Sequence, residues 1–359
     1  MRVGLVCPYS LSAPGGVQDQ VVGLARALVG LGHDVAIIAP GAVPAAHRGT
    51  SVGRAFRFRV NGSIAPMAPQ PTAAVRTVRA IRRGGFDVLH LHEPLAPSIT
   101  VPALLAHPAP VVGTFHAAGK QTAYRWLGNS LHRLAERIDA RVAVSQAALD
   151  LAADHLGGSY ELLFNGIDVD RFRTAPRVAA EGPTILFLGR HEPRKGLDVL
   201  LDALSSLPPE VTVRVAGDGP ATGRLREKHR NDRRISWLGR LSEEDKISEL
   251  RTASVLCAPS RHGESFGMVL LEAMAAGTPA VASSVPGYLS VSDHGRAVLL
   301  VPPDDPRALA RALLRVLSEG QLAARLRTRG DEHVRRFSMA DLALRYVEIY
   351  ARANGTPKL

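Results

Sequence analysis

Short apolar runs alternate with helix-forming segments along nearly the whole chain, and this alternation limits the fold more than any other feature. Arg2–Pro8 has the sequence RVGLVCP, which is typical of a strand buried on both faces. Two glycines follow, and apolar residues then recur at helical spacing from Val17 to Leu28. Buried strands that are each followed by a helix predict an α/β fold with a parallel sheet.

The alternation occurs twice. After Arg2–Pro8, the first series predicts strands at Val35–Ala39, Val88–Leu91, Val111–Phe115 and Arg141–Val144, and a helix from about Thr122 to Ile138. The pattern breaks around Asn165–Asp168, and a polar connector extends from Pro176 to Pro183. The second series predicts strands at Thr184–Leu188, Val211–Ala216, Ile235–Leu238, Val255–Ala258 and Pro279–Ala282. We expect two doubly wound, Rossmann-like domains over 1–169 and 170–338, with a last helix within 339–359 crossing back onto the first.

Composition excludes several classes of protein. The chain has 359 residues, 46% hydrophobic and 21% charged, which indicates a globular protein rather than a disordered one. Its net charge is +11, nearly all of the positive charge is arginine, and aromatic residues make up 5%. Without a repeat of aromatic and basic residues, this favours binding of phosphate groups or anionic lipid over a nucleic-acid platform. Cys7 and Cys257 lie in predicted buried strands, so we expect reduced thiols.

No apolar run is long enough to cross a bilayer, and the first residues lead directly into a strand. We therefore expect a cytoplasmic protein that is peripheral to the inner face of the plasma membrane. The sequence does not predict an oligomeric state.

Two motifs follow strands of the second series. Glu264 and Glu272 flank the start of a helix, which we predict to begin at Phe266 with Ser265 as its cap. Arg190 and Lys195 follow the first strand of that series, where two cations beside a helix start suit a diphosphate. Because the carboxyl ends of parallel strands share one edge, we expect these residues in a crevice between the two domains.

The combination of motifs resembles a known family. The stretch Glu264-x7-Glu272, the loop Gly189-Arg190 to Lys195-Gly196 and Asn165-Gly166-Ile167-Asp168 are similar to those of retaining family-4 glycosyltransferases with the GT-B fold. The segments Val6–Gln18, Asp87–Pro94 and Phe115-His116 narrow the resemblance to the phosphatidyl-myo-inositol mannosyltransferases of actinobacteria, which use GDP-mannose.

The resemblance implies a donor site. Arg190 and Lys195 would bind the diphosphate, Glu264 the transferred sugar, and Glu272 the ribose. His116 would lie beside the reactive carbon, and together with Arg190, Lys195 and Glu264 it forms the predicted catalytic set. The remaining predicted donor contacts are Gly16, Leu241, Lys246, Ser265, Phe266, Gly267, Met268 and Val269. No cofactor is implied, and no Asp-x-Asp motif for a divalent cation is present in the cleft segments.

On the acceptor side the resemblance is partial. The matching residues are Tyr9, Gln18, Asn61, Ser63 and Lys120. Val60, Leu95 and Ala117 depart from the pattern, which has an aromatic residue, an Asn and a Thr there. Arg76, Arg79, Arg82 and Arg83 lie on one predicted helix, which suits the surface of an anionic phospholipid bilayer.

Three alternatives remain open on the residues alone. An NAD-dependent oxidoreductase would need Gly-x-Gly-x-x-Gly after the first strand, but the chain has Gly15-Gly16-Val17-Gln18. A non-catalytic module that binds nucleotide sugars or polyanions is a second alternative. The third is a related transferase that uses another nucleotide sugar and a different lipid or small-molecule acceptor.

Overall fold

A computed structural model describes residues 1–13, 15–60, 63–117, 131–176 and 182–355, with only the backbone at 59–60 and 63–64. The chain forms two compact units. Unit 1 comprises Met1–Gly166 and Met339–Leu359, and unit 2 comprises Ile167–Ser338. The predicted domain boundary lay at 169/170.

Unit 1 is built on a seven-stranded parallel sheet with the order β3-β2-β1-β6-β7-β8-β9. Strands β4 and β5 form a separate antiparallel hairpin. The strands are β1 (Arg2–Val6), β2 (Asp34–Ala39), β3 (Gly49–Ser51), β4 (Phe56–Val60), β5 (Ser63–Met67), β6 (Val88–His92), β7 (Val111–Phe115), β8 (Ala140–Ala143) and β9 (Glu161–Leu162). The helices are α1 (Gly16–Gly30), α2 (Pro71–Gly84), α3 (Thr100–Ala106) and α4 (Gln146–Leu156), and residues 131–135 are also helical.

Unit 2 is built on a six-stranded parallel sheet with the order β12-β11-β10-β13-β14-β15. Its strands are β10 (Thr184–Leu188), β11 (Thr212–Ala216), β12 (Ile235–Gly239), β13 (Val255–Ala258), β14 (Ala280–Ser283) and β15 (Leu299–Val301). Its helices are α5 (Val169–Thr174), α6 (Leu197–Ala203), α7 (Thr222–Lys228), α8 (Glu243–Thr252), α9 (Met268–Ala275), α10 (Pro286–Leu289), α11 (Pro306–Ser318) and α12 (Gly320–Val334).

The last helix, α13 (Met339–Ala353), belongs to unit 1. It packs against α1, and Met339 lies so close to Gly23 that a Cβ at this glycine would be 2.8 Å from the methionine Cε. Tyr346 and Tyr350 of this helix are buried in the core of the sheet. The helix therefore brings two phenol groups into the interior of unit 1.

The predicted α/β fold is confirmed, and Val111–Phe115, Thr184–Leu188 and Val255–Ala258 have the predicted bounds. The prediction omitted β5 of the hairpin, and it also omitted β3, β9 and β15, which have two or three residues each. Such short strands at sheet edges lack the long apolar run that marks a central strand. Part of the helix predicted from Thr122 lies outside the described residues, and its described end is at 135 rather than 138. Cys7 and Cys257 are buried free thiols, as predicted.

Candidate active site

The loop after β10 is held to the loop after β11 by three backbone hydrogen bonds. The N–H groups of Gly189 and His191 donate to the carbonyls of Ala216 and Asp218 at 3.1 and 3.2 Å, and the N–H of Ala221 donates to His191 at 2.9 Å. Gly217 has a φ of 117°, and a Cβ there would lie 1.9 Å from the carbonyl oxygen of Gly189. Only glycine permits this approach. The loop that carries Arg190 is therefore fixed by its backbone.

Five charged side chains form an ion-pair cluster: Arg190, Glu192, Arg194, Lys195 and Glu264. Glu192 pairs with Arg190 Nη1 at 3.2 Å through Oε1 and with Arg194 Nε at 2.9 Å through Oε2. Glu264 Oε1 pairs with Lys195 Nζ at 2.7 Å and with Arg194 Nη1 at 3.3 Å. The carboxylates are buried, whereas the Arg190 side chain is 42% exposed. Three cations thus face two carboxylates, which leaves a positive excess for an anionic ligand.

The charge of Glu264 depends on this cluster. Burial alone raises the pKa of its carboxyl, but the nearby charges of Lys195 and Arg194 outweigh burial and lower the pKa overall. Ser260 Oγ also donates to the same Oε1 at 2.9 Å and contacts the hydroxyl of Tyr288 at 3.0 Å. Glu264 is therefore held ionised, with three donors on one oxygen.

Glu272 and Lys246, both predicted to contact the nucleoside, contact each other. Lys246 Nζ lies 2.8 Å from Glu272 Oε1, and each side chain is only about one-eighth exposed. Burial raises the pKa of Glu272, and the charge of Lys246 partly opposes this effect. Leu241 lies in the loop between β12 and α8, next to Ser242, whose hydroxyl caps α8. The predicted nucleoside contacts of unit 2 therefore lie on one loop and two helices.

The helix that carries Glu272 does not begin as predicted. It begins at Met268 rather than Phe266, and its N-cap is Gly267 rather than Ser265. Gly267 has a φ of 103°, and a Cβ there would lie 2.6 Å from the ring of Tyr288, so the left-handed turn that starts the helix requires glycine. Phe266 is 2% exposed and packs edge-on against Phe337. Its side chain anchors the loop, which leaves only its backbone for a ligand.

In unit 1, three buried imidazoles form a histidine row: His90, His92 and His116. The rings of His90 and His92 stack at 4.3 Å, and His92 Nδ1 lies 3.0 Å from His116 Nε2. Both nitrogens of His90 are also occupied, Nδ1 by the Tyr350 hydroxyl at 2.7 Å and Nε2 by Thr114 Oγ1 at 2.7 Å. A hydrogen bond therefore joins α13 to His90. From His90, ring stacking continues through His92 to His116.

Burial keeps the histidine row neutral. It lowers the pKa of His116 to about 3 and that of His90 to about 3, and His116 adds to its effect at His90. Burial, together with His90 and His116, also lowers the pKa of His92 well below its usual value. His116 is therefore an uncharged imidazole.

Glu93 connects the end of β6 to His116. Its carboxylate Oε1 accepts the backbone N–H of His116 at 2.8 Å, and the side chain is buried. Glu93 has a φ of 48°, an uncommon conformation for a residue with a side chain. Burial raises the pKa of Glu93 to about 7, against the lowering effect of the backbone N–H groups of His116 and Ala117.

Other predicted residues of unit 1 are placed as follows. Gly16 is the exposed first residue of α1, and nothing lies within 4 Å of a Cβ placed on it. Gln18 is buried and donates to the carbonyls of Ser10 and Ala13 at 3.4 and 3.2 Å, so its amide nitrogen holds a loop. Tyr9 bridges to Met67 of β5.

The structure describes only some of the predicted acceptor contacts. Asn61 and Lys120 lie outside the described residues, and only the backbone of Ser63 is described. Leu95, where the family pattern has an Asn, is 7% exposed and packs in a core cluster of unit 1. Within the described ranges, no group of three or more His, Cys, Asp or Glu side chains is arranged to hold a metal ion.

Sequence reasoning missed the residues that support the predicted site. Glu192 and Arg194 lie within the basic loop, but nothing in the sequence indicates that they form one ion-pair cluster with Arg190, Lys195 and Glu264. Tyr346 and Tyr350 are more than 200 residues away from the histidines that they support. One sequence feature does indicate that the tyrosines act together: they are four residues apart on an apolar helix face.

Comparisons with known proteins identify the family of the chain. Residues 14–171 match the family model described as Glycosyltransferase Family 4, and residues 168–333 match that of Glycosyl transferases group 1. A phosphatidyl-myo-inositol mannosyltransferase of Mycolicibacterium smegmatis is 39% identical over 366 residues, which cover 99% of this chain and 95% of the relative. One from Mycobacterium tuberculosis is 38% identical over 373 residues, covering 99% and 98%.

Solved structures share the fold. A crystal structure of Anabaena HepE in complex with UDP and glucose has a TM-score of 0.78 at 21% identity, covering 98% of this chain and 99% of that chain. Sucrose-phosphate synthase from Thermosynechococcus elongatus has a TM-score of 0.76 at 20% identity, covering 98% of both chains. At such identities the likeness shows the GT-B fold alone. The near-full-length relatives show more: the chain belongs to glycosyltransferase family 4, as a GT-B hexosyltransferase related to the phosphatidyl-myo-inositol mannosyltransferases.

Proposed function

We propose that this enzyme transfers mannose from GDP-mannose to phosphatidyl-myo-inositol, with retention of the anomeric configuration, at the cytoplasmic face of the membrane. The observation that carries this proposal is 38–40% identity, over most or all of the chain, to phosphatidyl-myo-inositol mannosyltransferases of several bacteria. The polar residues of both units supply chemistry that suits such a reaction.

The ion-pair cluster is suited to the donor diphosphate. Arg190, whose guanidinium is partly exposed while its partner Glu192 is buried, can form a bidentate contact with phosphate oxygens. Lys195 adds a second positive charge. Both cations stabilise the charge that develops on the leaving diphosphate, and in a partly buried site this electrostatic effect is large. Glu272 and Lys246 would then bind the nucleoside.

In the proposed reaction, the bond between the anomeric carbon and the diphosphate oxygen breaks, and the inositol hydroxyl oxygen bonds to that carbon on the same face. The hydroxyl proton passes to the departing phosphate oxygen. Glu264 is suited to binding the sugar rather than attacking it, because Lys195, Arg194 and Ser260 all engage its Oε1. With two cations for the diphosphate, we expect transfer to continue in EDTA.

The acceptor lipid requires contact with a membrane. Among the described residues, no helix is both long and apolar enough to cross a bilayer. Helix α2 contains no acidic residue, and its exposed face carries four arginines with no carboxylate partner among the described side chains: Arg76, Arg79, Arg82 and Arg83. Phe56 and Phe58 of the β4–β5 hairpin are 51% and 38% exposed. Exposed cations and aromatic rings suit the interface of an anionic bilayer.

The proposal is tested by a screen of donors against acceptors. Purified enzyme is incubated with GDP-mannose, UDP-glucose or UDP-galactose and vesicles that contain phosphatidylinositol or phosphatidylglycerol, and products are identified by mass spectrometry. We expect mannosylated phosphatidylinositol from GDP-mannose alone, with an α linkage by NMR. A product made only from another donor, or only on another acceptor, would replace this function with the related transferase. Val60, Leu95 and Ala117 depart from the family's acceptor pattern. The choice of acceptor is therefore what this screen tests most strictly.

Membrane binding is tested by vesicle sedimentation. Replacing Arg76, Arg79, Arg82 and Arg83 with Gln should weaken binding to anionic vesicles at least about tenfold, because each basic residue near such a surface contributes roughly 1 kcal/mol. The matched control removes the same charge from exposed arginines of unit 2: Arg307, Arg311, Arg315 and Arg325. Equal losses in both variants would show that net charge, rather than the α2 face, attracts the protein to lipid.

A further inference from the structure

The contact between His92 and His116 fixes which nitrogen of His116 remains for a ligand. His116 Nε2 lies 3.0 Å from His92 Nδ1, so this nitrogen is already occupied within the protein. The nitrogen that remains is Nδ1, and no described residue partners it. What His116 can do for a ligand therefore depends on whether Nδ1 carries the proton.

Two neutral imidazoles that share one hydrogen bond have two arrangements of protons. In the first, His92 Nδ1–H donates to His116 Nε2, and the proton of His116 lies on Nδ1. In the second, His116 Nε2–H donates to His92, whose own proton then lies on Nε2. The two arrangements leave different groups on His92 Nε2: an unprotonated nitrogen in the first and an N–H group in the second.

His92 Nε2 is buried and has no hydrogen-bond partner among the described residues. The adjoining cavity has a volume of only about 10 Å³, which is at the lower limit for a single water molecule. A buried N–H without an acceptor is rarer in proteins than an acceptor without a donor. The orphaned nitrogen therefore favours the first arrangement.

The surroundings of His92 keep its ring in place. It stacks on His90 at 4.3 Å, and Tyr350 and Thr114 occupy both nitrogens of His90. The Tyr346 hydroxyl lies 2.9 Å from Thr114 Oγ1 and completes the support from α13. On the other side, Glu93 holds the backbone N–H of His116. Turning either imidazole would break the 3.0 Å contact between His92 Nδ1 and His116 Nε2.

We infer that His92 is a positioning residue, which holds neutral His116 with its proton on Nδ1 so that His116 donates a hydrogen bond to a ligand oxygen. The identity of that oxygen as a hexose hydroxyl rests on the proposed function. The assignment also has a mechanistic consequence: His116 does not accept the acceptor's proton, which agrees with its pKa of about 3. Its contribution is therefore orientation of the ligand.

The tautomer is measured directly by ¹⁵N NMR of histidine-labelled full-length protein, in which protonated and unprotonated ring nitrogens resonate apart. The signals of His116 are assigned by their loss in His116→Asn. We expect protonated Nδ1 and unprotonated Nε2 on His116, without added substrate. Protonated Nε2 on His116, or a doubly protonated ring at neutral pH, would overturn the inference.

Kinetics with paired variants supply the second readout. Asn places its amide nitrogen where histidine has Nδ1, and Gln places it near Nε2. His116→Asn should keep kcat within about tenfold of the natural enzyme, and His116→Gln should lower it about a hundredfold, which is the usual cost of removing one positioned hydrogen-bond donor. His92→Asn, which keeps a donor at the Nδ1 position, should retain more activity than His92→Leu. His294→Asn, on an exposed loop of unit 2, is the control and should change nothing.

The two readouts separate this inference from the proposed function. If His116→Gln were as active as His116→Asn, or if His92→Leu left the His116 tautomer unchanged, His92 would have no positioning role. If instead the enzyme transferred a different sugar, the NMR result would still decide the tautomer. Should His92→Leu unfold, the comparison of His92→Asn with natural protein carries the test.

Discussion

The two units each bury a glutamate in the segment that follows a strand, and the pKa values of the two carboxyls shift in opposite directions. Glu264 in unit 2 is surrounded by Lys195, Arg194 and Ser260, and its pKa is lowered overall although burial raises it. In unit 1, backbone N–H groups donate hydrogen bonds to the carboxyl of Glu93, and burial raises its pKa to about 7. Similar desolvation therefore has opposite outcomes for the pKa, because cations compensate for it and backbone amides do so only in part.

The same difference extends to the neighbouring side chains. Unit 2 keeps its charges and pairs them, as the alternation of Arg190, Glu192, Arg194, Glu264 and Lys195 shows. Unit 1 keeps its imidazoles neutral and links them through hydrogen bonds and ring stacking. A region that binds a diphosphate needs cations held in place, whereas a region that orients uncharged hydroxyls needs fixed donors without charge.

The largest effect is expected from removing a cation of unit 2. Arg190→Ala and Lys195→Ala should each lower kcat by about two to three orders of magnitude, because the leaving diphosphate loses electrostatic stabilisation. Steady-state assays with GDP-mannose measure this, and Arg315→Ala, an exposed residue of α11, is the control. Near-normal turnover in either variant would end the assignment of the cluster to the diphosphate.

The second effect concerns the stability of unit 1. The pKa of Glu93 is about 7 in the folded state, above the value near 4.5 expected when unfolded, so the fold favours the protonated form. The stability from this preference is complete below about pH 4.5 and is lost as pH rises through 7. From that difference we expect the unfolding free energy of Glu93→Gln, relative to that of the natural protein, to rise by roughly 3 kcal/mol between pH 4.5 and 8.

Hydrogen exchange of the β7 amides measures this effect within unit 1. Comparing the variant with the natural protein at each pH cancels the intrinsic pH dependence of exchange. Glu161→Gln, which removes a partly exposed carboxylate paired with Arg345 and Arg352, is the control and should not show this gain with rising pH. A difference that is flat from pH 4.5 to 8 would mean that Glu93 is ionised throughout, and the contrast between the two glutamates would be lost.

The sequence predicted the α/β fold and the central strands, because long apolar runs record burial on both faces of a sheet. It did not predict the start of α9 at Met268, because Ser265 is a common capping residue and the left-handed turn at Gly267 depends on tertiary contact with Tyr288. Nor did it predict that Glu192 and Arg194 support the cations, or that α13 supports the histidines. Such partners are set by packing between distant segments, which periodicity in one segment does not encode.

The third effect separates binding from turnover. In this structure Glu264 is paired with Lys195, so the carboxylate competes with a diphosphate for that cation. Glu264→Gln should therefore bind GDP about tenfold more tightly, roughly 1.4 kcal/mol, while sugar transfer falls. Calorimetric titration with GDP measures the affinity. Glu272→Gln is the contrasting variant, since loss of a ribose contact should weaken GDP binding. If Glu264→Gln also bound GDP more weakly, the pairing would support the diphosphate site rather than compete with it.

The smallest effect is expected from the two tyrosines of α13 that support the histidine row. Tyr350→Phe removes the hydroxyl that contacts His90 Nδ1, and Tyr346→Phe removes the one that contacts Thr114. Each is a hydrogen bond between neutral groups, so each loss should cost about 1 kcal/mol of unfolding free energy. The cost should not depend on salt, because no charge is involved, whereas the effect of Lys195→Ala on GDP binding should diminish as salt rises. Hydrogen exchange of β7 at low and high ionic strength tests this difference. A cost for Tyr350→Phe that falls as salt rises would show that His90 carries charge, and the neutral character assigned to the histidine row would then be wrong.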